Sequence, residues 1–461
     1  MRLTYIMLCI AAFCVACDPL ANPRHGDITF SSDTVFFDTV FTSLGSATLE
    51  VRAINKSDRP LAIDRIWLAG GENSPFKINI DGNPDGNVSD KIVAAGDSIF
   101  IFIEVKIDPV NSDLPVSVTD SVMFSSGNNL SRVFLQAWGQ DIILLKNAAT
   151  GNATWSGTKP YVIYGNFSVD TLKSLTIMPG TKIYFHNKAS MTVSGTLNVS
   201  GSTEEPVLFA TDMTYDDYSD VPGQWKGITF NSCSRSNKIT GAVIRNAGIA
   251  LNIQGKALTD MPDLELYNVS VLHNSVSSLN SVAAYIKAAN CVFGHTGFST
   301  IHLSEGGEAD LVHCTVAERW GYTFRSVPAV YIEKGEETGL PVVTVKNTVI
   351  AGDRTNEIEI ETTPAELPAK IYFDSSYVQV DTLHSSWWNH TGFKGVLTGS
   401  KPGFIDWNKY DFRPDTLSAL QDRAGRNAAR PYPADIRNKP RPAFNGPDIG
   451  AYERQPGEKS H

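Results

Sequence analysis

One short segment occurs five times in the C-terminal two thirds of this 461-residue chain. Its copies are Ala242-Val243-Ile244, Val269-Ser270-Val271-Leu272, Asn290-Cys291-Val292-Phe293, Cys314-Thr315-Val316-Ala317 and Asn347-Thr348-Val349-Ile350. Aligned on Val243, Val271, Val292, Val316 and Val349, they lie 28, 21, 24 and 33 residues apart. A repeat of this length, lengthened by insertions at two steps, is a unit that buries its apolar face only by stacking on its neighbours. Upstream, Leu175–Phe185, Met191–Val199, Pro206–Phe209 and Gln224–Phe230 are short alternating strands with Gly or Asn near their corners. Taken alone they fit hairpins or rungs; the recurrence decides for the rungs of a parallel β-coil over an ordinary antiparallel protein. The later copies are followed by a polar corner and a further strand: Ile301-His302-Leu303, Val330-Tyr331-Ile332 and Ile358-Glu359-Ile360. Asn290 and Asn347 fall at equivalent positions, where an amide hydrogen-bonds between turns.

The first third follows a different pattern. Apolar or alternating runs occur at Asp27–Phe30, Thr34–Val40, Ala47–Ala53, Ala62–Leu68, Phe76–Ile80, Ser98–Ile107, Ser121–Phe124 and Arg132–Ala137, with turn-forming clusters such as Asp81-Gly82-Asn83-Pro84 between them. Short strands at this spacing predict an all-β sandwich. Ile99–Val105 is apolar on both faces and predicts a central strand covered on both sides. The expected organisation is a leader at 1–17, a spacer at 18–27, a sandwich at 28–141, a parallel β-helix at 142–420 and its closing segment at 421–461.

The N-terminus carries an address. Arg2 precedes an apolar stretch from Leu3 to Ala16, too short to span a bilayer as a mature helix, and Cys14-Val15-Ala16-Cys17 follows at its end. Small residues before a cysteine resemble a bacterial lipobox, which implies cleavage before Cys17 and a lipid, such as palmitate, on that residue. No later stretch is long enough to cross a membrane, so the expected partner is the membrane surface, reached through the anchor. With 49 acidic against 39 basic residues and no Lys/Arg run, nucleic acid is not an expected partner. Beyond Cys17 only Cys233, Cys291 and Cys314 remain, an odd number without CxxC spacing. They read as small hydrophobes in a packed interior, not as a disulfide or zinc framework.

Two resemblances sharpen this picture. Val51-Arg52-Ala53-Ile54-Asn55, Ser74-Pro75-Phe76, Ala94-Ala95-Gly96-Asp97-Ser98 and Ile107-Asp108-Pro109 resemble the immunoglobulin-like domains related to major sperm protein. Those domains are common in Bacteroidota lipoproteins and serve as spacers or interaction modules. Leu-x-Ile-x-Pro-Gly at 175–180 and Trp-x-Gly-Ile-x-Phe at 225–230 resemble the right-handed parallel β-helices of the pectate-lyase-like superfamily. Asp435-Ile436-Arg437-Asn438-Lys439-Pro440-Arg441 and Gly446–Glu453 are similar to the closing segment of secreted bacterial members. The fold class this implies is all-β: an immunoglobulin-like sandwich followed by a right-handed parallel β-helix.

Chemistry is harder to find in the sequence. Lyases on this scaffold use a basic residue and often Ca²⁺ held by acidic side chains; hydrolases use paired carboxylates. The densest set of reactive side chains is His295, His302, Glu305, Glu308, Asp310, His313 and Arg319, from which His302, Glu305, His313 and Arg319 are the candidate catalytic residues. Asp212, Asp216, Asp217 and Asp220 form an acidic loop without cation-loop spacing. Glu357, Glu359 and Glu361 alternate with isoleucines, which predicts the outer face of a strand. Trp320, Tyr322 and Phe324 form one candidate binding cluster, and Trp387 and Trp388 with His390 a second, at the end of the coil. No phosphate loop, nucleophile elbow or metalloprotease motif occurs. The favoured expectation is a lipid-anchored outer-membrane protein acting as a non-catalytic module in the cell envelope. It would bind carbohydrate or serve as a subunit of an outer-membrane assembly, with no cofactor. The alternative is a polysaccharide lyase or glycosidase, with Ca²⁺ as a cofactor in the lyase case.

Overall fold

The computed structural model describes residues 22–214, 218–256, 260–362, 367, 370–382 and 392–458. The chain divides into two compact units, residues 1–142 and 143–461.

The first unit consists of two sheets around one core. Thr29–Phe30, Leu49–Ile54, Ser98–Val105 and Phe76–Ile80 form a four-stranded antiparallel sheet in that order. Thr34–Phe41, Asn129–Gln140, Val116–Ser126, Leu61–Leu68 and Asn87–Val93 form the other, opened by one parallel pair. Val51, Ile101 and Ile103 from the first meet Ile66, Phe124 and Leu135 from the second in a single buried cluster. Ser98–Val105 is central, as its apolarity predicts, yet its side chains alternate buried and exposed. Phe100 and Phe102 lie on the outer face, their rings stacked 6.4 Å apart. Asn87–Val93 is a strand the hydropathy pattern does not announce. It sits at a sheet edge and is mostly exposed, where polar residues suit the position.

The second unit is a coil of stacked rungs, each giving one short strand to each of three parallel sheets, here called A, B and C. Sheet A runs through Ser174–Ile177, Thr196–Ser200, the first halves of Asn237–Arg245 and Leu264–Leu272, and then Tyr285–Ala289, Glu308–Val312, Val342–Lys346 and Ile371–Asp374. Sheet B runs through Lys182–Phe185, Val207–Thr211, the second halves of the same two long strands, Val292–Gly294, Thr315–Ala317, Val349–Ala351 and Tyr377–Val378. Sheet C runs from Ser190–Val193 through Gly227–Phe230, Ile249–Gln254, Ser277–Val282, Ile301–Ser304 and Val330–Ile332 to Ile358–Ile360. One inward side chain in two fills the coil, in a cluster that includes Phe209, Ile228, Leu266, Phe293 and Ile350. Trp225 is the largest of these side chains; its ring lies 3.8 Å from that of Phe185 and its indole N–H donates to the Arg245 carbonyl at 2.8 Å.

The recurrent segments are strands of sheet B, but their register differs by one residue from the alignment on valine. Val243 pairs with Ser270, then Val292, Thr315 and Val349, giving steps of 27, 22, 23 and 34. Ile244, Val271, Phe293, Val316 and Ile350 form the adjacent row, and it is this row that fills the core. Valine does not tell the rows apart because the outward row is also buried from Val292 onwards, beneath the C-terminal segment. A strand covered on both faces loses its alternation. The three segments beginning at Ile301, Val330 and Ile358 stack in register as expected, with His302 against Tyr331 and Tyr331 against Glu359.

The corner between sheets A and B is a column of left-handed residues: Gly241, Asn268, Asn290, His313, Asn347, Ser375 and Gly395, all with φ between 47° and 60°. This backbone favours Gly and Asn, which explains why asparagine recurs there. At Gly241 a side chain is also sterically barred, since a Cβ would stand 2.3 Å from the Gly201 carbonyl carbon. The asparagine amides mostly bind the C-terminal segment. Asn290 donates to Ala434 O at 2.8 Å and accepts from Arg441, while Asn347 exchanges bonds with Gly425 and reaches one neighbour across turns, His313, at 2.9 Å.

Residues 404–454 lie along the outer face of sheet B. Phe412, Leu420, Ile449 and Ala451 cover Val292, Val349 and Tyr377. Buried polar groups pin the segment: Arg441 pairs with Glu453 at 3.3 Å, and Asp435 accepts from the amides of Arg437, Lys439 and Glu453. The charged residues of the closing motif are therefore docking groups. Cys291 and Cys314 are buried as expected, whereas Cys233 is exposed.

Trp225→Ala removes the largest fully buried side chain of the coil and is expected to cost ~3–5 kcal/mol of stability. Denaturant unfolding followed by circular dichroism measures this.

Candidate functional site

The reactive residues crowded between 295 and 319 cover one full rung, so the coil distributes them around its circumference. His295 and Arg319 stand at the corner between sheets B and C, His302 on sheet C and Glu305 at the next corner. Glu308 and Asp310 are on sheet A, and His313 is at the corner between A and B. The four candidate catalytic residues do not share a face. His313 is fully buried: Asn347 donates to its Nε2, and its Nδ1 lies 3.3 Å from the Gly450 carbonyl. Burial and the Arg441 charge push its pKa well down. His302 Nε2 contacts Glu333 at 2.9 Å, and its ring stacks on Tyr331, whose hydroxyl donates to Glu361. Glu305 accepts from Thr338 at 3.2 Å, and Arg319 is exposed. Glu357, expected on an outer strand face beside Glu359 and Glu361, is instead fully buried. It precedes the strand, at the corner, and pairs with Arg325 at 2.6 Å.

The aromatic loop lies at the B–C corner. His273 and His295 occupy consecutive turns there with their Nδ1 atoms 2.5 Å apart, and Tyr410 of the C-terminal segment packs against both rings. Trp320 and Tyr322 close over His295, at 5.3 Å and 5.9 Å between ring centroids, while Phe324 is 86% exposed. Burial and the neighbouring His273 lower the pKa of His295 to about 4. Asp212 and Asp220 diverge, the first to His186 at 2.7 Å and the second to His273 at 3.6 Å. Asp216, Asp217, Trp387, Trp388, His390 and Cys17 lie outside the described residues. Among the described residues no group of three His, Cys, Asp or Glu side chains is placed to hold a metal ion.

A trough on the outer face of sheet A gathers more chemistry than either corner. Two adjoining hollows of about 490 and 440 Å³ share Thr344 and Lys346. Their floor is built by register: Lys238, Glu265, Lys287, Asp310, Thr344 and Tyr372 stack in one outward row. Thr240, Tyr267, Ala289, Val312, Lys346 and Asp374 stack in the next. The inward partners of these strands, Leu266, Ile286, Leu311 and Val345, hold the floor rigid by packing in the core. Tyr432 of the C-terminal segment forms a wall, its ring 6.2 Å from that of Tyr267. Tyr285 donates to Asp310 at 3.3 Å, and the Lys287 ammonium lies 5.0 Å from the Tyr285 ring centre. The Tyr285 bond, outweighing burial, raises the pKa of Lys287, and burial raises that of Tyr285. Both groups therefore hold their protons more firmly than in water, which suits hydrogen-bond donors and opposes a role as general base. Of the trough residues only Asp310 stands out in the sequence. The row that contains it is spaced at 238, 265, 287, 310 and 344, the same steps that separate the strands of sheet B.

The fold and the trough define a parallel β-helix with an open, polar and aromatic groove along one sheet, preceded by a two-sheet β unit. No family model and no curated protein matches the chain. Among solved structures, it is similar to a family 123 glycoside hydrolase from Clostridium perfringens, at 7% identity and TM-score 0.19 over 27% of this chain and 30% of that one. It is also similar to the VesB protease of Vibrio cholerae, at 12% and 0.18 over 24% and 31%. The ASH/PapD-like domain 7 of human CEP192 matches at 11% and 0.18 over 27% of this chain and 92% of that one. Likeness this loose carries no argument about fold or activity.

His295 gives a pH prediction. Its folded pKa, about 4, lies below its ordinary 6.5, so between these values the unfolded chain takes up the proton first and stability falls as pH falls. His295→Asn, which installs the residue found two turns back in the same corner column at Asn246, is expected to lose less. Its stability relative to the parent should rise by about 1 kcal/mol per pH unit as pH drops from 6.5 towards 4, read from urea midpoints.

Proposed function

We propose that this protein is a lipid-anchored outer-membrane module that binds an extended polysaccharide in the sheet A trough without cleaving it. The observation that carries this reading is the trough itself: tyrosine rings, lysines and carboxylates arrayed along a rigid floor more than one rung long. An open trough suits a linear chain, aromatic rings suit the apolar faces of sugars, and the polar rows suit their hydroxyls. In this reading the coil is right-handed and of the pectate-lyase-like kind, and the first unit is an immunoglobulin-like spacer or interaction domain of the Bacteroidota lipoprotein type. Cys17 carries the lipid that holds both at the membrane.

The second reading, a lyase or glycosidase, draws support from the His302–Glu333 pair with its stacked Tyr331 on sheet C. On sheet A, Lys287 and Tyr285 are both shifted away from acting as a base, which argues against their driving an elimination.

Retention of the full-length protein on immobilised polysaccharides, with product release assayed in the same samples, separates the readings. Retention without new reducing ends or unsaturated products is expected. Tyr432→Ala should weaken retention about tenfold, ~1.4 kcal/mol. Release of products that disappears with His302→Ala would instead make the protein an enzyme. Cys17→Ala should move the protein from the membrane fraction to the soluble fraction; unchanged membrane association would contradict the anchor.

A further inference from the structure

The charges along the trough floor alternate in sign from rung to rung. Lys238, Glu265, Lys287 and Asp310 are paired in register on four consecutive turns. Further along, the neighbouring row repeats the alternation with Lys346, Asp374 and Lys394. Strands in adjacent rungs are ~4.8 Å apart, so each charge stands one rung from an opposite charge. Across the two hollows four lysines stand against three carboxylates, and Glu308, on the same face beside Asp310, evens the count.

An extended sugar residue is about as long as a rung is tall. A chain carrying one negative charge per residue would therefore set every second charge against Glu265, Asp310 or Asp374. Like charges so placed cancel what the lysines contribute. A chain of uncharged sugars meets no such opposition. Its hydroxyls both donate and accept, so an ammonium on one rung and a carboxylate on the next are equally good partners. Tyr267 and Tyr432 supply the apolar contact for the sugar faces.

We infer that the trough selects a neutral polysaccharide and rejects polyanionic ones. This rests on the binding reading given above and adds the chemical class of the ligand to it.

The test uses the full-length protein in detergent on immobilised neutral polymers (arabinoxylan, galactomannan and a β-glucan) and on polygalacturonate. Retention on at least one neutral polymer is expected, unchanged between ~0.1 M and ~1 M salt, with none on polygalacturonate. Glu265→Lys combined with Asp310→Lys turns the row into an unbroken run of positive charge. This variant should gain retention on polygalacturonate that high salt abolishes. Both side chains point outward, and the uncharged pair Glu265→Gln with Asp310→Asn should give a weaker gain if the lysine pair does not fold. Retention of the unmodified protein on polygalacturonate, or no gain in either variant pair, overturns the inference and leaves the binding reading in place. Failure of the unmodified protein to bind any polymer overturns both.

Discussion

The hydrogen-bond ladder between successive rungs determines what every residue of the coil stands next to. Each strand is bonded in parallel register to the strand one turn before and one turn after it. Side chains a full turn apart in sequence therefore stack as neighbours, and side chains a few residues apart point to different faces or different sheets. Any function built on this scaffold is assembled at intervals of one rung. The trough follows that rule, since its lysines and carboxylates come from separate turns and meet only because the ladder aligns them.

The same ladder creates the need for the C-terminal segment. Sheet B is largely apolar on its outer face from Val292 to Tyr377, and without a cover it would expose Val292, Val349 and Tyr377. Phe412, Leu420, Ile449 and Ala451 supply the cover, and a set of buried charges fixes it in place. Removing one partner of such a set is strongly destabilising because it leaves the other charge buried and unpaired. Asp435, Arg441 and Glu453 are therefore demanded by docking, and their prominence in the sequence reflects structure more than chemistry. Tyr432, on the same segment, is turned towards sheet A. One element thus covers one face of the coil and supplies a wall of the trough on another.

The architecture was legible because it rests on repetition. The period of the valine segments announced stacked rungs, and the strands at Ile301, Val330 and Ile358 were placed in register. The valine alignment misses the true register of sheet B by one residue, because a strand buried on both sides has valine in either row. In the first unit the edge strand Asn87–Val93 is not visible in the sequence, because an exposed edge strand has no hydropathy pattern to reveal it. The candidate site was far less legible. A search for reactive residues close together in sequence selects one rung, and one rung encircles the coil. His302, Glu305, His313 and Arg319 are close in sequence and are dispersed by the fold. Lys238, Glu265 and Lys287 look unremarkable one at a time, and Tyr432 is brought to them from far along the chain by the docking of the C-terminal segment.

The trough of sheet A and the corner occupied by Trp320, Tyr322 and Phe324 are direct rivals as the ligand face. Hydroxyl-radical footprinting of the full-length protein, with and without a retained polysaccharide, reads both faces in one experiment, because each displays accessible aromatic rings. The account predicts that Tyr267, Tyr372 and Tyr432 become protected while Tyr322 and Phe324 react as before. Protection of Tyr322 and Phe324 with Tyr432 unchanged would contradict it.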